Sequence, residues 1–124
     1  MNIVLLESLG VPDQILNACA KPLVDAGHTF QAYPKDTDPQ VQIERAKAAD
    51  VIMIANMPLK GEVISACPEL KFIDVAFTGV DHVDLDACRA KGVKQLITAA
   101  GDGASAAVAA CAWLDSKSGK KSID

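Results

Sequence analysis

LKFIDVAFTGVDHVDLDACRAKGV, residues Leu70–Val93, contains a strand, a loop and a helix in close succession. Phe72–Val75 is a short apolar run and predicts a buried strand. Ala76–Val83 follows as a loop, and Asp84 opens a short helical segment that closes at Lys91-Gly92. Val93 begins another apolar run. The loop therefore lies where a parallel strand ends and a helix begins. In open α/β sheets that end of the strands is where ligands bind. Gly79 lets the backbone turn there and lets a ligand approach the peptide N–H groups closely.

Upstream, the chain alternates in the same manner. Val51–Ala55, VIMIA, is the most apolar run and predicts a third strand buried on both faces, as parallel strands usually are. Its carboxyl-end loop is Asn56-Met57-Pro58, and helix three covers about Lys60–Cys67, where Pro68 blocks extension. Ile3–Leu6 predicts strand one, with Glu7-Ser8-Leu9-Gly10 as the loop beyond it. Helix one starts near Pro12, and Ile15, Leu16, Cys19, Leu23 and Val24 follow a period close to 3.6. Pro22 inside this pattern is expected to kink or split the helix, and Gly27 to stop it. His28–Ala32 predicts a short second strand near an edge, with His28 as a surface or capping residue. Thr37-Asp38-Pro39 opens helix two, which runs to about Ala48 with Glu44, Arg45 and Lys47 on its solvated side.

Downstream, Val93–Ile97 predicts strand five, and an Ala-rich fifth helix spans about Asp102–Asp115. The tail, Ser116–Asp124, is small, polar and lysine-bearing, and is expected to fray. Strands alternating with helices through short connections imply a parallel sheet with helices on both faces. The expected fold class is α/β: a flavodoxin-like three-layer sandwich with a five-stranded parallel sheet in the order 2-1-3-4-5, plus a C-terminal helix. One domain, residues 1–115, and a flexible tail, residues 116–124, account for the chain.

Composition narrows the function. At 124 residues and 50% apolar content, a core is readily built. Aromatics are only 4%, so that core is aliphatic and Ala-rich. The net charge of −4, with no basic patch, argues against nucleic acid as a partner. No apolar run is long enough to span a membrane, and MNIVLLESLG lacks the features of a signal peptide. A cytoplasmic location is expected. Cys19, Cys67, Cys88 and Cys111 are widely spaced without a C-x-x-C pair, so they predict small buried thiols rather than a metal or redox centre.

Three phosphate chemistries share this topology. Gly101-Asp102-Gly103-Ala104-Ser105-Ala106 fits G-x-G-x-x-A between a predicted strand and a predicted helix. A dinucleotide unit needs a further strand and an acidic residue some 20 residues on, roughly. Here a polar tail follows, and Asp102 puts negative charge where pyrophosphate would sit. A strand-to-helix turn is the simpler account. A receiver domain needs a phospho-accepting Asp after strand three, where this chain has Ala55-Asn56. A flavodoxin needs a phosphate loop after strand one, where Glu7 would repel the ligand.

At the opening stretch the chain resembles the D-isomer-specific 2-hydroxyacid dehydrogenases. Leu70, Lys71, Ile73, Gly79, Val80, Asp81, Val83, Asp84, Leu85, Ala87, Gly92 and Val93 carry the resemblance. It extends more loosely over residues 1–100, the family's smaller, flavodoxin-like substrate domain. After strand five the pattern departs. Gly101 and Val108-Ala109 are similar to the family's sequence, but the spacing is one residue long, its aromatic is Asp102 and its glutamate is Ala110. The resemblance implies that a separate Rossmann domain binds NAD and supplies the catalytic arginine, the supporting acidic residue and the acid/base histidine. No cofactor, and no catalytic, cofactor-binding or metal-ligating residue, is expected in this chain. A truncated or engineered half-enzyme, or a stand-alone relative, is expected.

By the same resemblance, the substrate-binding residues are Asn56, Met57, Thr78, Gly79 and Val80. Backbone N–H groups of Thr78-Gly79-Val80 would hold a carboxylate, and Asn56-Met57 would line the same crevice. Asn56 is suited to hydrogen-bond a carboxylate or keto oxygen. His82 is expected to cap or pack, and Asp81 and Asp84 to cap the short helix. The expected partners are a 2-hydroxy or 2-keto acid, bound weakly, and the missing Rossmann domain. The alternative is a non-catalytic module that folds or forms a homodimer through helix five, by an apolar face including Val108, Cys111 and Trp113.

Overall fold

In the computed structural model of the protein, residues 1–7, 12–75 and 82–97 are described. The apolar runs become strands β1 (Asn2–Leu5), β2 (Thr29–Ala32), β3 (Val51–Ile54), β4 (Phe72–Val75) and β5 (Lys94–Ile97). Between them lie α1 (Asp13–Asp25), α2 (Pro39–Ala46), α3 (Gly61–Ser65) and α4 (Leu85–Lys91). All neighbouring strands are parallel, in the order β2-β1-β3-β4-β5. This is the expected α/β sheet. The expected fifth helix (102–115), the tail (116–124) and the Gly101–Ala106 motif lie outside the described residues.

Register explains the core. Val4, Ile52 and Ile73 are matched across β1, β3 and β4. Side chains alternate along a strand, so Leu6, Ile54 and Val75 share their face. That face packs with Ala46, Val63, Ile64 and Cys88 in one buried cluster, which places α2, α3 and α4 together. Ile3, Leu5, Val51 and Met53 occupy the other face and are buried, as are Leu16, Ala20 and Leu23 of α1. The edge strand β2 is largely exposed.

Local chemistry sets the helix ends. The Asp38 side chain accepts from the Gln40 amide at 2.9 Å, with Pro39 in the first turn, as its sequence signal predicts. Asp84 caps α4 by accepting from the Ala87 amide at 3.0 Å. Gly92 ends that helix at φ 73°, a left-handed conformation that glycine adopts without a Cβ penalty. Pro22 does not split α1, which runs unbroken through it. The proline falls in the last turn, where its missing N–H removes a single helical hydrogen bond. Helices α2 and α3 are shorter than expected, ending at Ala46 and Ser65. His28 precedes β2 rather than joining it, and its Nδ1 lies 2.8 Å from the N-terminal amine.

At the amino end of the sheet, Asp50 ties together the starts of β1, β3 and β4. Its carboxylate accepts from the Asn2 amide at 2.7 Å and from Lys71 Nζ at 2.8 Å. Burial alone would raise its pKa, but the hydrogen bonds from Lys71 and Asn2 and the charges of Lys71 and the N-terminus together hold it below the ordinary value. A depressed carboxyl stabilises the fold above the unfolded-state pKa of about 3.9, and that stability is lost as pH falls through the lower folded-state value. Asp50→Asn is therefore expected to lower stability at pH 7 by about 1 kcal/mol. The difference from wild type should shrink under acid conditions, as urea unfolding at both pH values would show. An equal deficit in acid would argue against the ionised clamp.

Candidate functional site

The site grows from two neighbouring strands. Ile54 and Val75, the last residues of β3 and β4, are matched in register. Both strands thus end side by side at the carboxyl edge of the sheet, where segment 55–60 leaves β3. A short parallel bridge, Leu59 to Val83, joins the chain again beyond both loops. The Leu59 amide donates to the His82 carbonyl at 2.8 Å, and the Asp84 amide donates to the Leu59 carbonyl at 3.1 Å. One further step along the chain, Asp84 caps α4. The end of the first loop is therefore tied to the entry of α4.

The first loop has two more anchors. Glu7, at the end of β1, is buried, and its Oε2 accepts from the Ala55 amide at 2.9 Å and the Met57 amide at 2.8 Å. Gln42 of α2 is also buried, and its Nε2 donates to the Asp36 carbonyl at 2.8 Å and approaches Met57 Sδ at 3.5 Å. These contacts fix what each loop residue offers. Asn56 is exposed, whereas the Met57 side chain is wholly buried in the core. With its amide given to Glu7, Met57 keeps only its backbone carbonyl for a ligand. Thr78, Gly79 and Val80 lie outside the described residues, as does Asp81.

Glu7 and Gln42 were not assigned to the site from sequence. From sequence Glu7 reads only as a residue that repels phosphate. The available signal was an acidic residue immediately after a central apolar strand, where a carboxylate needs buried donors. Nothing in the sequence named those donors.

Other titratable groups bear on chemistry by what they lack. Cys67 and Cys88 are buried free thiols. Burial is the main cause that raises both pKa values, which keeps the thiols protonated and unreactive. Cys67 Sγ donates to the Val63 carbonyl at 3.2 Å, so it serves the packing of α3. Among the described residues no group of three or more His, Cys, Asp or Glu is arranged to hold a metal. Nor does any described helix have the length and apolarity to cross a membrane.

The described end of β1 offers no free amide pair for pyrophosphate. Pyrophosphate needs converging N–H groups at a strand-to-helix turn. At the end of β1 the structure instead places the buried Glu7 carboxylate, and the amides it faces are already occupied.

Comparison with known proteins agrees with this architecture. The family model for the D-isomer specific 2-hydroxyacid dehydrogenase catalytic domain matches residues 3–121. Glycerate dehydrogenase of Methylorubrum extorquens is 35% identical over 66 residues, covering 53% of this chain and 21% of that protein. A 2-hydroxyacid dehydrogenase of Haemophilus influenzae is 32% identical over 93 residues, covering 75% of this chain and 28% of that protein. Among solved structures, the NAD+-bound 3-phosphoglycerate dehydrogenase of Entamoeba histolytica superposes with a TM-score of 0.72 at 26% identity, over 79% of this chain and 32% of that one. The chain thus spans between a fifth and a third of the length of these relatives.

Proposed function

The chain belongs to the D-isomer specific 2-hydroxyacid dehydrogenase family, and from that premise we propose that it forms the substrate-receiving half of such an enzyme. The bridge between the two loops supports this reading most directly. It ties the chain just beyond Asn56 to Val83, at the ligand-binding end of a parallel sheet. In this proposal the Thr78–Val80 amides receive the carboxylate of a 2-oxo or 2-hydroxy acid. Backbone donors suit an anion because they do not titrate. The Asn56 side-chain amide donates to the neighbouring keto or hydroxyl oxygen.

NAD and the acid/base group belong to a separate Rossmann domain in this proposal. When bound there, NAD would supply the hydride chemistry, while this chain orients the acid and shields one side of it from water. A cytoplasmic setting is part of the same proposal, since buried free thiols such as Cys67 and Cys88 suit a reducing compartment.

A one-sided wall with a few hydrogen bonds of about 1 kcal/mol each binds weakly. Hydroxypyruvate, a 2-oxo acid, added to the isotope-labelled chain at millimolar levels is expected to shift the amide signals of residues 78–80 and the Asn56 side chain. With NADH and hydroxypyruvate together, the chain alone should give no turnover beyond the protein-free rate. Shifts confined to other residues, or none at tens of millimolar, would overturn the assignment of the wall.

A further inference from the structure

Glu7 does more than fill space. It is 3% exposed, and a single one of its oxygens takes both the Ala55 and the Met57 amides. Two amides with one residue between them, converging on one oxygen, form a small anion-binding concavity. The protein occupies it with its own side chain. Between those two amides sits Asn56, exposed at the carboxyl edge of β3. The β3 loop is left with no amide at 55 or 57 for an incoming carboxylate. Its polar contribution is then the side chain of Asn56, on a backbone pinned to either side.

We propose that Glu7 is a positioning residue that sets Asn56 for the substrate by holding the amides on either side of it. This deepens the substrate-wall reading and rests on it. Glu7 itself touches no substrate. Gln42 of α2 and the Leu59–Val83 bridge, just before α4, brace the same loop. With the Glu7 side chain removed, the amides of Ala55 and Met57 lose the acceptor they share. The loop must then move to find others, and Asn56 moves with it.

The test titrates the full chain with hydroxypyruvate, as wild type, E7Q, E7A, N56A and E7A/N56A, followed by amide shifts. E7Q keeps one neutral oxygen for the same amides and is expected to bind within about threefold of wild type. E7A and N56A should each weaken binding by about tenfold, and the double variant should bind no worse than N56A, since Glu7 acts through Asn56. Additive losses in this cycle, or wild-type affinity in E7A, would overturn the proposal. If E7A does not fold, E7D, one methylene short of the amides, carries the same cycle.

Should the wild-type chain show no shift with hydroxypyruvate, the substrate-wall reading fails, and positioning is then judged without ligand. Backbone order parameters at residues 55–57 should fall in E7A and stay high in E7Q. Unchanged order in E7A would sink the positioning role on its own.

Discussion

Ile52→Ala is expected to remove about 4 kcal/mol of stability, near the upper end for buried aliphatic truncations. Ile52 lies in the middle of β3 and is fully buried. Val4 and Ile73 flank it in register from β1 and β4, and both are buried with it. Two hydrogen-bonded neighbouring strands cannot close in on a void between them. The cavity therefore persists, and its cost adds to the lost transfer energy of the side chain. A domain of this size has on the order of 5–15 kcal/mol in total, so one such substitution takes a large share. Ile52→Val, which keeps the branched shape, should cost about 1 kcal/mol. Urea unfolding reads both: the midpoint should fall with little change in slope. A loss in the alanine variant no larger than in the valine variant would mean that this face of the sheet is not packed as described.

The same residues explain why the fold was legible. VIMI in β3 is an unbroken apolar run, and a run of that length with helices on either side leaves little choice but a two-sided buried strand. Asp38-Pro39 and Lys91-Gly92 carry their helix-end chemistry in the sequence itself. Pro22 leaves α1 in one piece because it falls in the last turn, a placement that sequence spacing fixes only to within a few residues.

The candidate site was legible only in part. Its place at the ends of β3 and β4 follows from topology, but the outward Asn56 and inward Met57 do not follow from composition. Irregular backbone has no fixed side-chain period, unlike a strand. Glu7 reaches donors 48 and 50 residues away. Such a contact exists only after β1 and β3 pair, so no local pattern announces it. Gln42 is similar: a polar residue on a helix reads as solvated until Asp36 and Met57 are brought beside it.

Gly61→Val is expected to cost about 3 kcal/mol through overpacking and a lost cap. Gly61 opens α3 against the start of α4. A Cβ added there would lie 2.5 Å from Asp84 Oδ2 and 3.3 Å from the Ala87 Cβ. The first contact is too short to persist, and the Asp84 carboxylate is not free to swing away, since its Oδ1 holds the Ala87 amide. Either the cap breaks or the two helices separate. Asp84→Ala alone should cost about 1 kcal/mol, the usual value of an N-cap. In the double variant the shortest clash is gone, so its loss should fall short of the two single losses combined. Separation of the helices would also strain the Leu59–Val83 bridge, because α3 follows Leu59 and α4 follows Asp84 within two residues each. Faster hydrogen exchange at the Leu59 and Asp84 amides in Gly61→Val, relative to those of β3, is the local sign of that strain. Exchange that rises equally in β3 would instead indicate global destabilisation, and would show that the bridge does not depend on the close approach at Gly61.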